Sequence, residues 1–317
     1  MTRFLVVRAL TLLLGLGIAS VIIFLSLRLL PGDVAQVIAG MQASPERVEA
    51  LREQLGLNTP LPEQYLSWIA GVLSFDLGNS IVTGSPVSEQ ILEKLQVTLP
   101  LVALSMIVGA TVALPLGVYT AVRHGHRDSR VVSSLGILAA AVPIVWAGLL
   151  AIIVFSNWLG WFPSQGFPRA GWAEPGRALL SLALPAITIG LVEGAVLMRF
   201  VRSATLSALN AEHVRSAMSR GHTRLRALIL HGLPGVGLSI VSLLGIQIAG
   251  LIVGAVVIEQ LFNLPGLGRM LVADVGQRDL LKVQSVLLVL TGMILVIGAC
   301  VDVLHRLIDP RMRTATA

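Results

Sequence analysis

Polar and apolar positions in this chain segregate into blocks far longer than a helical turn. Six stretches reach about 18 or more residues with few or no charges, the length a helix needs to cross a bilayer. The first lies between Arg8 and Arg28, the second is Val97 to Val122, and the third is Val131 to about Ser156. Ala178 to Met198 forms the fourth, about Val236 to Ile258 the fifth, and Val283 to Val301 the sixth. Pro115, Pro143, Pro185, Gly109 and Gly245 lie inside these runs, where neighbouring helices can satisfy the backbone groups they free. The pattern predicts an all-α integral membrane protein with six transmembrane helices.

The segment between the first two runs, 31–96, is too long for a simple connector. Ser44-Pro45-Glu46 reads as an N-cap, a first-turn proline and an acidic first turn, with Gly56 as the stop. A second short helix is expected over Pro62 to Val72, with Tyr65 and Trp68 as interfacial aromatics. A third begins near Pro86 and feeds the second span. The organisation expected is an N-terminal span over 1–30, a small external helical subdomain over 31–96, and a five-span core over 97–317.

The core is interrupted by a polar loop over 199–234 that carries Asn210-Ala-Glu-His-Val-Arg-Ser-Ala-Met-Ser-Arg-Gly221. Asn210 is placed to cap a helix, Glu212 to meet the macrodipole in its first turn, and Gly221 to end it. A helix this short neither spans a membrane nor holds itself together in water, so it must dock on something. Val214, Ala217 and Met218 fall on one side of it, with Arg215, Ser219 and Arg220 elsewhere. That pattern suits insertion into a partner's groove; the plain alternative is a basic helix resting on membrane lipid.

Composition agrees with the blocks. Of 317 residues, 55% are hydrophobic and only 13% charged, with a mean hydropathy of +0.84, against about 25% charged in soluble domains. The net charge of +6 is read as an orientation signal and not as a nucleic-acid footprint, because the arginines sit in short loops. With the N-terminus in the cytoplasm, 14 Lys and Arg fall inside and nine outside, three of the nine in the long loop 31–96. Both termini are therefore expected inside. The first run follows Met-Thr-Arg-Phe with no Ala-x-Ala site near its end, and is read as a retained span. The lone Cys300 excludes an intrachain disulfide.

Candidate chemistry is sparse. No Gly-x-x-x-x-Gly-Lys-Ser/Thr loop is present, and the six histidines lie at the ends of runs or in loops without the spacing of a helical metal site. No cofactor and no metal are implied. Glu193 is the acid well inside a span: it either lines a substrate path, or pairs with Arg199 or Arg202 on its own helix. Gln247 reads as interhelical glue, with the substrate path as its alternative. Pro265-Gly-Leu-Gly268 reads as a reversal after a short re-entrant or surface helix, with Phe262 buried. An integral membrane enzyme lacks a matching set of catalytic residues, and a secondary transporter lacks matched broken helices.

Several ordered segments carry more. Leu30-Pro-Gly-Asp33 follows the first span; Leu55-Gly-Leu-Asn-Thr-Pro-Leu-Pro-Glu-Gln-Tyr65, Asp76-Leu-Gly-Asn-Ser80, Pro86-Val87 and Thr98-Leu-Pro100 follow in turn. Gly254 to Gly268, Arg278-Asp279 and Asp309-Pro-Arg311 complete the series. In this order the chain resembles the membrane permease subunit of bacterial peptide and nickel ABC importers, of the dipeptide/oligopeptide permease B type. The polar loop resembles the one such permeases use to contact their ATPases, with Val214-Arg-Ser-Ala217 matching the peptide branch and Gly221 four residues beyond. By that resemblance Glu212, His213, Val214, Arg215, Ser216, Ala217, Met218, Arg220 and Gly221 form a coupling helix. The resemblance implies a second homologous permease, two ATPase subunits and an extracytoplasmic solute-binding protein as partners. The solute-binding protein is expected against the external subdomain and the loop around Glu259 to Lys282. It also implies a bacterial inner-membrane location and a non-enzymatic role.

Overall fold

The computed structural model describes residues 2–29, 34–40, 43–54 and 56–308. Leu55 and the segments Leu30-Pro-Gly-Asp33 and Asp309-Pro-Arg311 lie outside them. The elements are helical: α1 (Thr2–Arg28), α2 (Val34–Ala39), α3 (Pro45–Gln54), α4 (Leu61–Leu73), α5 (Val87–Val122), α6 (Arg127–Ala141) and α7 (Ile144–Ala151). There follow α8 (Pro175–Asn210), α9 (Glu212–Ser219), α10 (Arg224–Ala227), α11 (Leu233–Leu261), α12 (Leu267–Gln277) and α13 (Leu280–Ile308). A π-helical stretch extends α7 through Trp158, and another joins α10 to α11.

Helices α1, α5, α8, α11 and α13 are each long and apolar enough to cross a membrane. The third run, Val131 to about Ser156, behaves differently from the single helix expected. It breaks into α6 and α7, bent by 101°. Pro143 offers no N–H and forces Val142 out of the helical region, to φ −74 and ψ 123. Pro115 and Pro185 remain inside α5 and α8.

Two compact units divide the chain: Thr98–Pro265 with the segment from Val296 onward, and Thr2–Val97 with Gly266–Leu295. The first unit is organised around α8, against which α6, α7, α9 and α11 pack. Helix α5 also approaches α8 closely, backbone to backbone. A Cβ on Gly190 would stand 2.7 Å from the Ser105 carbonyl oxygen, and one on Gly194 3.0 Å from Gly109 Cα. Glycines four apart on one helix allow this backbone-to-backbone approach, the arrangement favoured where lipid removes the hydrophobic drive between helices. Further along, Ala113, Leu197, Met198 and Val201 form a buried cluster.

In the second unit α4 is fastened to α1. Phe24 stacks on Trp68 at 6.2 Å, Tyr65 meets Phe24 edge-on at 5.5 Å, and the Tyr65 and Ser20 hydroxyls are 2.9 Å apart. These aromatics pack on one another and on α1, and Leu288 of α13 completes the cluster. The cap of α3 is as expected: Arg47 N–H donates to Ser44 Oγ at 3.4 Å. The Ser44 hydroxyl holds the Glu46 carboxyl below its usual range. Gly56 has φ +63, the left-handed stop expected there.

The Gly190 contact has a direct test. Gly190→Leu should overpack the α5–α8 crossing and cost roughly 1–3 kcal/mol, lowering the melting temperature of the purified protein in detergent. Gly17→Leu, where a Cβ meets nothing within 4 Å, should leave it nearly unchanged. Equal melting of the two variants would mean the close approach is not a stability determinant.

Candidate functional site

The polar loop is built from the end of α8. That helix does not stop where its apolar run does. It continues to Asn210 and breaks at Ala211, which has φ −65 and ψ 141. Asn210 is therefore the last residue of α8, not the cap of the next helix. Ala211 takes that place with no side-chain bond, because α8 extends through the position that sequence assigns to the cap. Gly221 ends the segment at φ +94, with its N–H donating to the Met218 carbonyl at 3.0 Å. Only glycine adopts this conformation at low cost.

The burial of α9 reverses one sequence expectation. Val214 and Ala217, assigned to a partner's groove, are fully buried inside the chain. They join Leu209, Ala227, Leu228 and Val236, with Met218 packed alongside. The apolar side of the helix is spent on its own permease, so the outward side is polar: Glu212, His213, Arg215, Ser216, Ser219 and Arg220 are all exposed. Periodicity identified the buried side correctly and could not say what buries it. Two bonds add to the clamp: His213 Nε2 lies 3.2 Å from the His231 carbonyl oxygen, and Arg224 donates to the Val122 carbonyl at 3.3 Å. The helix is thus fixed to α8, α10, the start of α11 and the end of α5.

Glu193 is half-buried between α8 and α11. Its carboxylate accepts a short hydrogen bond from the Gln247 amide, which also donates to the Glu193 carbonyl at 3.1 Å. Gly250, one turn beyond Gln247, leaves room for the carboxylate: a Cβ there would stand 3.1 Å from it. Glu193 and Gln247, read separately in sequence, are one contact. Arg202 instead meets His124 at 3.2 Å, and Arg199 lies over Phe200.

A second polar group went unrecognised in sequence. Glu259 is fully buried and accepts from Thr98 Oγ1 at 2.6 Å. In the other unit, Asp279 accepts from Ser80 Oγ at 2.6 Å, and Lys282 pairs with Asp274 at 2.9 Å, all four nearly inaccessible. Burial pushes the Asp274 carboxyl above its usual range, and Lys282 offsets part of that. Glu259, Asp274, Asp279 and Lys282 lie in the stretch expected to face a partner, yet they are buried; Val272, Ala273, Val275, Gly276 and Gln277 are what α12 exposes. Acids beside a lysine at the margin of apolar runs were the available signal, since such charges are costly unless paired. Pro265 and Gly266 lead into α12 instead of following a short helix; Phe262 is buried as expected. Among the described residues no three His, Cys, Asp or Glu side chains are grouped to hold a metal ion.

Five long apolar helices and a broken pair, with a short helix clamped by its apolar side beyond α8, are the architecture of a multi-pass membrane protein. The chain belongs to the family described as the binding-protein-dependent transport system inner membrane component, which matches residues 113–314, and the family's N-terminal portion matches residues 1–102. It is thus an ABC-importer permease, a family whose members work with ATPases and a solute-binding protein. It is 39% identical over 301 residues to a putative peptide transport system permease protein of Brucella abortus, covering 93% of this chain and 94% of the relative. Against the glutathione transport system permease protein GsiC of Escherichia coli O6:H1, identity is 33% over 313 residues, 99% of each chain. The fold matches a subunit of the inward-facing MetNI methionine ABC transporter with TM-score 0.58 at 18% identity, over 69% of this chain and 96% of that one.

The burial of α9 sets its own test. Ala217→Trp should overfill the cluster around Val214 and lower the melting temperature of the permease purified alone, by roughly 1–3 kcal/mol of stability. Ser219→Ala, on the exposed side, should leave melting unchanged. A wild-type melting curve for Ala217→Trp would return Ala217 to the partner-facing side.

Proposed function

We propose that this chain is one permease subunit of an ATP-driven, binding-protein-dependent importer of di- or oligopeptides. It pairs with a second homologous permease, two ATPase subunits and an extracytoplasmic solute-binding protein, and itself hydrolyses nothing. The peptide assignment is supported by the names of relatives that match over nearly the whole chain. Nickel, a metallophore or another small solute is the alternative cargo on the same architecture.

The observation that carries the coupling role is the division of α9 into a buried apolar side and an exposed polar one. A helix resting loosely on an ATPase would transmit nothing. This one is locked into the permease by Val214, Ala217, Met218 and the His213 bond. A displacement applied to Glu212, Arg215, Ser216, Arg220 or Gly221 therefore moves α8 and α11 as a body. The contact with the ATPases is polar and charge-assisted, a different interface from the apolar insertion that sequence suggested. Glu193 and Gln247 sit where those two helices touch, and we assign them to holding the helices together, with the substrate path as the second reading.

Charge reversal separates docking from folding. Arg215→Glu with Arg220→Glu should leave permease melting unchanged, yet reduce ATPase co-purification roughly tenfold or more. It should also uncouple hydrolysis from uptake in liposomes. Full association and full coupling would reject the docking role. Orientation, with both termini cytoplasmic, rests on the arginine distribution and is tested by labelling in a Cys300→Ser background. A cysteine at Ser85 should react with an impermeant thiol reagent in intact cells, and one at Ser219 only after permeabilisation. The opposite pattern would invert the topology.

A further inference from the structure

Helices α6 and α8 present facing stripes whose residues do not close on one another. Ser133, Gly136, Ile137 and Ala140 are spaced i, i+3, i+4 and i+7 on α6, and Ala195, Met198, Arg199 and Arg202 have the same spacing on α8. The helices run antiparallel here, since His124 meets Arg202 while Gly136 meets Met198. Between them lies a hollow of about 60 Å³. One end is cationic and hydroxylic, from Arg199, Arg202 and Ser133. The other is lined by Ala140, Ala195 and Ile137, and Ile137 is 61% exposed on the outer surface of α6.

Two donors at the polar end have nothing to donate to. Arg202 Nε and Ser133 Oγ are both buried, and neither finds a hydrogen-bond partner in the described structure. Buried donors are almost always satisfied, so a pair aimed into one hollow calls for an acceptor from outside. The surrounding charge states its sign. Arg127 and Arg130 open α6 at the same end, and the nearby acid, Asp128, is already taken by Arg123 at 2.8 Å and by the Tyr119 hydroxyl at 2.7 Å. Peptides are too large for the hollow. A phosphate oxygen reaching into the hollow, with the acyl chain outside it along the exposed apolar stripe, matches its charge and polarity gradient.

We infer that the α6–α8 groove binds an anionic phospholipid of the leaflet on the α9 side, its phosphodiester accepting from Arg202 Nε, Arg199 and Ser133 Oγ. The occupant is a lipid and not a second permease, because the surface of α6 beside the hollow is an exposed apolar stripe of Leu135, Ile137 and Leu138 that suits an acyl chain, and the leaflet supplies phosphate at every position. A lipid wedged here braces α8 two turns before it leaves for α9, which places it on the path from coupling helix to spans.

The test uses the full-length permease in its assembled transporter, titrated with phosphatidylglycerol and separately with phosphatidylcholine, with bound lipid counted by native mass spectrometry. Wild type should retain phosphatidylglycerol in preference to phosphatidylcholine. Arg199→Gln with Arg202→Gln should weaken that retention roughly tenfold or more. Ala195→Trp, which fills the apolar end and keeps both arginines, should weaken it as well. Arg127→Gln should change it little, and millimolar inorganic phosphate should not displace the lipid. Equal retention in wild type and both groove variants overturns the proposal. Displacement by inorganic phosphate alone makes it a free-anion site and also overturns it. Loss of the second permease from the double variant, with lipid retention unchanged, assigns the groove to a subunit interface and rejects the lipid.

Discussion

The close approach of α5 and α8 at Gly109, Gly190 and Gly194 is the contact on which the rest depends. In hydrocarbon there is no gain from hiding leucine from leucine, so helices associate through backbone proximity and fitted surfaces. A Cβ at Gly190 would strike a carbonyl oxygen, so any other residue there pushes the two helices apart. Around this crossing α8 collects α6, α7, α9 and α11. Every element credited with function in this unit is positioned by α8.

Continuity of α8 is the second consequence. Thirty-six residues without a break carry the helix from the apolar region out to Asn210, so α9 is mounted on the end of a stiff rod instead of a flexible loop. The short helix then spends its apolar side on the permease and offers charge outward. That arrangement explains how a segment of eight residues, too short to be stable alone, holds a fixed position on the permease. Its stability is borrowed from Leu209, Leu228 and Val236.

The polar residues buried within each unit are arranged by pairing. Thr98 serves Glu259, Ser80 serves Asp279, and Lys282 serves Asp274. Pairs of this kind add little net stability over apolar packing, but removing one partner leaves a costly orphan. Glu193 follows the same logic, with an amide in place of a cation.

Sequence alone determined the material of the fold. Blocks of apolar residues must become helices in a bilayer, since no other local structure satisfies its own backbone there. The caps at Ser44 and Gly221, the side of α9 that packs and the ordered family segments were equally legible, because each is a local or linear property. Tertiary structure decided what the pattern could not carry. Pro143 breaks its run while Pro115 and Pro185 stay inside continuous helices, a difference that a proline alone does not announce. Val214 and Ala217 had to be buried, but only the packing shows them buried in the permease itself. Glu193 had to find a partner, and the choice of Gln247 over Arg199 or Arg202 came from the helix that α8 lies against. An apolar or charged residue announces that it needs a neighbour; which neighbour it gets is a property of the assembled bundle.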